Sequence, residues 1–148
     1  MRPILAVVLS GLLLLTGCPG KPAAPSPGSP AAIAAEEDAL CAQDLKEPGH
    51  LEAREWCKKS TSMGFEVSTD RMLEIADLLY EHGATQVEVV GIDTLEGREL
   101  SACMVATLPT DAAARQRFFA WYGPWSKELF GDEAITDHGQ RYARLSLD

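Results

Sequence analysis

The chain has 148 residues, a formal net charge of −9, 46 % hydrophobic residues and 24 % charged ones. So acidic a surface argues against nucleic acid as a partner and against electrostatic adhesion to anionic lipid. Roughly 120 residues follow Pro30, enough for one modest domain with its own core.

The first element is an apolar run from Ile4 to Leu15, interrupted by Ser10 and Gly11 and preceded by Arg2. It has the outline of a secretory signal, and it is too short for a bilayer, which takes about 20 apolar residues. Small residues at Thr16 and Gly17 lead directly to a cysteine. The tetrad Leu15-Thr16-Gly17-Cys18 resembles the lipobox of bacterial lipoprotein precursors, a resemblance confined to residues 1–18. It implies a signal peptide over 1–17, cleavage before Cys18, a thioether-linked diacylglycerol on that cysteine and acylation of its amino group. Each buried methylene adds ~0.8 kcal/mol, so a multiply acylated end makes the membrane a stable partner through the anchor alone. Pro19 in place of aspartate resembles the pattern of lipoproteins sent to the outer membrane. The expected address is therefore the periplasmic side of that membrane in preference to the inner one. Beyond Cys18 the sequence resembles no family.

Between Cys18 and Pro30 lie Pro19, Pro22, Pro25 and Pro27, with glycine and serine among them. This composition buries nothing and favours extended, solvated backbone, a tether. At ~3.1 Å per residue it holds a domain up to about 37 Å from the bilayer.

The single α+β domain is expected over 31–148. Ala31 to Leu45 is helical by propensity, Glu47-Pro48-Gly49 breaks it, and Leu51 to Lys59 is a second short helix. Helix, turn, helix makes an αα-hairpin over 31–60 in which Cys41 and Cys57 face each other. With Cys18 lipidated, Cys41, Cys57 and Cys103 remain in an oxidising compartment, and the expected disulfide joins Cys41 to Cys57, worth roughly 3 kcal/mol in the chain-entropy account. No C-x-x-C and no paired histidine spacing is present, so neither a metal nor another cofactor is expected.

Phe65 to Val67 alternates like a strand, and Ser68, Thr69 or Asp70 can cap the helix that follows. Met72, Ile75, Ala76, Leu79 and Tyr80 form its apolar stripe, opposite Arg71, Glu74, Asp77 and Glu81, and Gly83 stops it. Val87 to Ile92 and Glu99 to Leu108 read as two strands around a turn at Thr94 to Gly97. A helix capped by Thr110 follows, with Ala114, Phe118, Trp121 and Tyr122 on one face and a stop at Gly123-Pro124. Arg141 to Leu147 alternates again. The order β-α-β-β-α-β over 64–148 points to a ferredoxin-like sandwich preceded by the αα-hairpin. Cys103, Val105, Val90 and Ile92 are expected on its open face, under the hairpin, with Trp56 as the plug.

Three groups of side chains are chemically suggestive. Trp121, Tyr122 and Trp125 suit the face of a sugar or a peptide, and Arg115, phased onto the same apolar side, suits an anion, although packing of the rings and snorkelling of the arginine account for the same pattern. His82 and His138 with Asp93 or Asp137 would suit acid/base work, but no spacing joins them. No G-x-S-x-G, P-loop or H-E-x-x-H occurs. The expectation is a lipid-anchored, extracytoplasmic, non-catalytic binding module, with free sheet edges fit for an envelope protein or peptide. The alternatives are a small periplasmic enzyme and a thiol sensor acting through Cys103.

Overall fold

The computed structural model describes residues 26–131 and 134–147. The expected signal peptide at 1–17, the expected lipidation at Cys18 and the expected tether as far as residue 25 lie outside the described residues. No described helix is long and apolar enough to cross a membrane.

The fold grows from one pair of strands. β-Branched runs with period-2 alternation form β3 (Gln86–Val90) and β6 (Cys103–Thr107), which pair antiparallel with Val89 opposite Met104 and Val90 opposite Cys103. β1 (Leu51–Glu52) flanks β3 and β7 (Tyr142–Ser146) flanks β6, giving a four-stranded sheet in the order β1-β3-β6-β7. Alternation puts Val87, Val89, Met104, Ala106, Ala143 and Leu145 on one face. The same alternation puts Val90, Cys103, Val105 and Tyr142 on the other.

Three helices cover the first face: α2 (Ala53–Cys57), α3 (Thr69–Glu81) and α4 (Ala112–Phe130). Trp56, Met72, Ile75, Leu79, Phe118 and Tyr122 are buried there against the sheet. At about 1.5–3 kcal/mol for each large apolar side chain, this layer dominates the stability. The second face is covered by α1 (Pro30–Asp44), which packs along β7 and brings Cys41 and Leu45 onto Val90 and Val105. Ser29 caps α1, its Oγ accepting from the Ala32 N–H at 3.3 Å, and Pro30 sits in the first turn, where a missing N–H costs nothing.

The α+β class stands, and its arrangement differs from the ferredoxin-like order. The strand before α3 is not Phe65 to Val67 but β2 (Ser62–Gly64), and it joins a separate three-stranded sheet, β2-β5-β4, with β4 at Asp93–Leu95 and β5 at Arg98–Ser101. A split β-α-β would need that strand in the main sheet. The cause lies in the second strand, which turns a corner at Ala102 and divides between the two sheets. Ser101 holds the corner: its Oγ donates to the Val90 carbonyl at 2.7 Å and accepts from the Cys103 N–H at 3.1 Å. Gly64 is needed where β2 ends, since a Cβ there would lie 1.6 Å from the Val67 carbonyl oxygen.

The αα-hairpin is likewise not formed. Residues 51–52 pair with β3 instead of starting a helix, and Glu52 caps α2, its Oε2 accepting from the Glu55 N–H at 3.0 Å. The chain thus passes the sheet edge, and α1 and α2 lie on opposite faces. Trp56 is fully buried, but on the α3/α4 side, and Ile92 packs against that cluster too. Val90, Val105 and Cys103 do lie under residues of the 31–60 segment, with Cys41 and Leu45 of α1 as the cover.

Finally, α4 runs through Gly123-Pro124 to Phe130. Asp111, not Thr110, caps its start, with Oδ1 accepting from the Ala114 N–H at 2.8 Å. The Gly123 carbonyl accepts from Ser126 Oγ at 2.9 Å, and the helix stops at Gly131 in the left-handed region (φ 74°).

Candidate functional site

Because α4 continues past Pro124, Trp125 falls one turn beyond Trp121 on the same stripe, as residues four apart do. The two indoles stack, centroids 5.0 Å apart and planes 22° from parallel. The ring of His82, the residue that ends α3, lies on the other side of Trp121 at 3.9 Å and 8°. Phe118 meets Trp121 edge-on at 5.9 Å and fixes its base in the core. His82, Trp121 and Trp125 are each partly exposed, so the three rings form a half-buried ladder across the α3–α4 seam.

The ladder opens at Trp125 onto a groove of about 270 Å³ lined by Arg71, Trp125, Glu128 and Leu129. Arg71, in the first turn of α3, pairs with Glu74 through Nη1 at 2.8 Å. An aromatic wall between a guanidinium and a carboxylate offers a stacking face together with hydrogen-bond donors and acceptors. That is the chemistry a sugar ring requires.

The other expected ligand residues are engaged elsewhere. Tyr122 is fully buried among Phe118, Phe119 and Trp125, and burial raises its phenol well above the ordinary range. Arg115 grips Asp137 with two nitrogens, Nη2 at 2.5 Å from Oδ1 and Nε at 3.1 Å from Oδ2, and donates from Nη1 to the Pro109 carbonyl at 3.2 Å. Its guanidinium thus clamps the C-terminal loop onto α4. Arg115 hydrogen bonding holds the Asp137 carboxyl below its usual value against the opposing effect of burial, with the Gly139 N–H assisting. Of these four residues Trp125 lines the groove, and Trp121 stacks on it.

The histidines weighed for acid/base work with Asp93 or Asp137 have other neighbours. His82 stacks on Trp121, His138 Nε2 meets Thr136 Oγ1 at 2.9 Å, and Asp93 lies on the exposed outer hairpin. Among the described residues no group of His, Cys, Asp and Glu is arranged to hold a metal ion.

The three described cysteines are free thiols, and the expected Cys41–Cys57 pairing is not made. The two belong to clusters on opposite faces of the sheet, the consequence of β1 intervening between α1 and α2. Burial first, and nearby carboxylates second, push each thiol up to about 11. Cys103 is half-buried, with Sγ 3.6 Å from Ser146 Oγ.

A smaller cavity of about 90 Å³ lies where α1 crosses β7, lined by Glu37, Leu40, Cys41, Gln140, Tyr142 and Arg144 among others. Burial raises the Glu37 carboxyl above its usual value, Asp38 adds to the rise and His138 opposes it. No hydrophobic period marks Asp38, Gln140 or Arg71 as structural partners. Their roles depend on contacts between segments far apart in the chain. The chain matches no family model, no curated protein and no solved structure.

Proposed function

We propose that the protein is a lipid-anchored, extracytoplasmic, non-catalytic binding module whose ligand surface is the Trp121–Trp125 ladder and the adjoining Arg71/Glu128 groove. The ligand class that fits is a glycan, one sugar ring lying against Trp125 with its hydroxyls toward Arg71 and Glu128. The observation that carries this reading is the half-exposed His82–Trp121–Trp125 stack opening on that groove. Phe118 and Tyr122, by contrast, are fully buried.

The anchoring half of the reading rests on Leu15-Thr16-Gly17-Cys18 and the proline-rich tether. In this proposal Cys18 carries the lipid and the domain stands off the periplasmic face of the outer membrane, where envelope glycans are within the tether's reach. An envelope protein or peptide remains the partner class for the sheet edges.

Two experiments test the two halves. Cells fed labelled palmitate should label the wild-type chain and not Cys18→Ser; equal labelling sinks the anchor. Titrating soluble amino-sugar oligosaccharides into the protein should quench tryptophan fluorescence saturably, and Trp125→Ala should abolish the response. An unchanged isotherm in Trp125→Ala, or no response in wild type, overturns the binding surface.

A further inference from the structure

We infer that Cys41 and Cys103 are the disulfide-forming pair of this protein, and that the bond fastens α1 to the sheet. Cys41 is the α1 residue buried most deeply against the second face, where it packs on Val90 and Val105. Cys103 is directly opposite Val90 in the β3–β6 register and two residues from Val105 on the same face. Side chains directly opposite in such a pair stand about 4.5–5.5 Å apart at Cβ, so a residue seated on Val90 and Val105 has Cys103 as its neighbour. Indeed Cys103 packs against the Cys41, Val90, Val105 cluster. Cys57 is remote from this cluster, on the far side of the sheet.

Small residues make the closure feasible. The buried residues of α1 are the small Ala34 and Cys41, which let the helix lie close to the sheet, and the bond requires the Cα atoms of Cys41 and Cys103 to come within about 7 Å of each other. The bond closes a loop of about 60 residues, the long-loop case in which cross-linking constrains the unfolded chain most.

The chemistry is thiol–disulfide exchange with a disulfide oxidant, glutathione disulfide or a dithiol oxidase. The half-buried Cys103 thiolate attacks the oxidant's disulfide, forming a mixed disulfide and releasing one oxidant thiolate. The Cys41 thiolate then attacks the Cys103 sulfur and expels the second oxidant thiolate. Two electrons pass from the cysteine pair to the oxidant, and the two protons end on the thiols it releases. Only the supply of oxidant in cells rests on the extracytoplasmic reading above.

The test equilibrates the purified full chain in glutathione buffers graded from reduced to oxidised, blocks free thiols by alkylation, and maps non-reduced tryptic peptides by mass spectrometry. The expected product joins the Cys41 and Cys103 peptides, leaves Cys57 alkylated, and persists in Cys57→Ser. Oxidation should also slow proteolysis within residues 30–46 by about tenfold, because opening α1 no longer frees it. A Cys41–Cys57 product, or Cys41 and Cys103 both alkylated at the oxidised end, overturns the pairing. Equal cleavage rates overturn the fastening. A link that forms in glutathione buffer but is missing from cells alkylated at lysis overturns the proposed compartment and supports the pair.

Discussion

Asp38 of α1 holds the backbone of Tyr142 near the opposite end of the chain: its Oδ1 accepts from the Tyr142 N–H at 3.1 Å and from the Arg141 N–H at 2.7 Å. β7 is an edge strand, and outward N–H groups are what such an edge offers to another chain. One carboxylate therefore docks α1 and blunts the edge. Asp38→Ala should destabilise the fold by about 1–2 kcal/mol, as expected for two charge-assisted bonds at a partly solvated site. Urea unfolding reads this as a lower midpoint with an unchanged slope. Asp38→Asn, which keeps an acceptor, should recover part of the loss. A midpoint equal to wild type in Asp38→Ala would show that α1 is held by its apolar contacts alone.

Arg115 and Asp137 tie the C-terminal loop to α4, and their pairing has a defined pH signature. The folded Asp137 carboxyl lies below its ordinary value, chiefly through Arg115. A depressed folded pKa adds stability that is complete above the unfolded value, near pH 3.9, and is lost as pH falls through the lower folded value. Acid unfolding should therefore begin below about pH 4. In Asp137→Asn the neutral-pH stability should drop by about 1 kcal/mol, discounted for the solvent at this half-open pair, and the slope in this window should flatten. Parallel pH titrations of wild type and variant would expose the error if their slopes coincide.

Tyr122 OH and Trp56 Nε1 are buried with no hydrogen-bond partner among the described residues. Removing an unpartnered polar atom without changing shape is neutral or favourable, whereas emptying the site creates a cavity. Tyr122→Phe should accordingly leave stability unchanged or raise it by up to about 1 kcal/mol, and Trp56→Ala should lower it by about 3–5 kcal/mol. Thermal or urea unfolding distinguishes these outcomes. A loss above 1 kcal/mol in Tyr122→Phe would mean that the hydroxyl has a partner, such as a buried water.

Local pattern carried α3 well: Ser68 caps it, Oγ accepting from the Arg71 N–H, and Gly83 at φ 109° follows its end. The alternation of Val87, Val89, Met104 and Ala106 likewise announced the central strands and their buried face. Pattern failed where a distant contact decides. Leu51 and Glu52 have ordinary helix propensity, yet an unfilled β3 edge recruits them, and that one event separates Cys41 from Cys57. Pro124 looks like a stop, but it lacks only one helical hydrogen bond, and the surrounding packing of Trp121, Tyr122 and Trp125 on the core outweighs the loss. Of the site, Trp121, Tyr122 and Trp125 stood out as an aromatic group, but the stop expected at Gly123-Pro124 hid that Trp121 and Trp125 lie one turn apart on the same helix. His82 and Arg71 reach the ladder and its groove only through the packing of α3 on the same core, which no local period encodes.

The outer hairpin offers a gain. Between β4 and β5 the chain reverses over Glu96-Gly97, with φ of 52° and 80°, and Asp93, Thr94 and Leu95 face Leu100, Glu99 and Arg98. Two successive positive φ values in a two-residue loop describe the turn whose twist matches that of the strands, and it prefers Asn-Gly. Glu96 is the one non-glycine residue with positive φ among those described, a conformation that crowds its Cβ against the backbone. Glu96→Asn should relieve this and stabilise the protein by about 0.5–1 kcal/mol, since asparagine tolerates the left-handed region at about that saving. Because the turn lies outside both main clusters, global unfolding registers the gain only if the β2-β5-β4 sheet melts together with the core. Urea unfolding followed by tryptophan fluorescence, which reports the main core through Trp56, Trp121 and Trp125, compared with amide exchange of Thr94 and Glu99, separates the cases. A gain in exchange protection without a change in the fluorescence midpoint would mean that the small sheet opens by itself. No gain in either would refute the strain at Glu96.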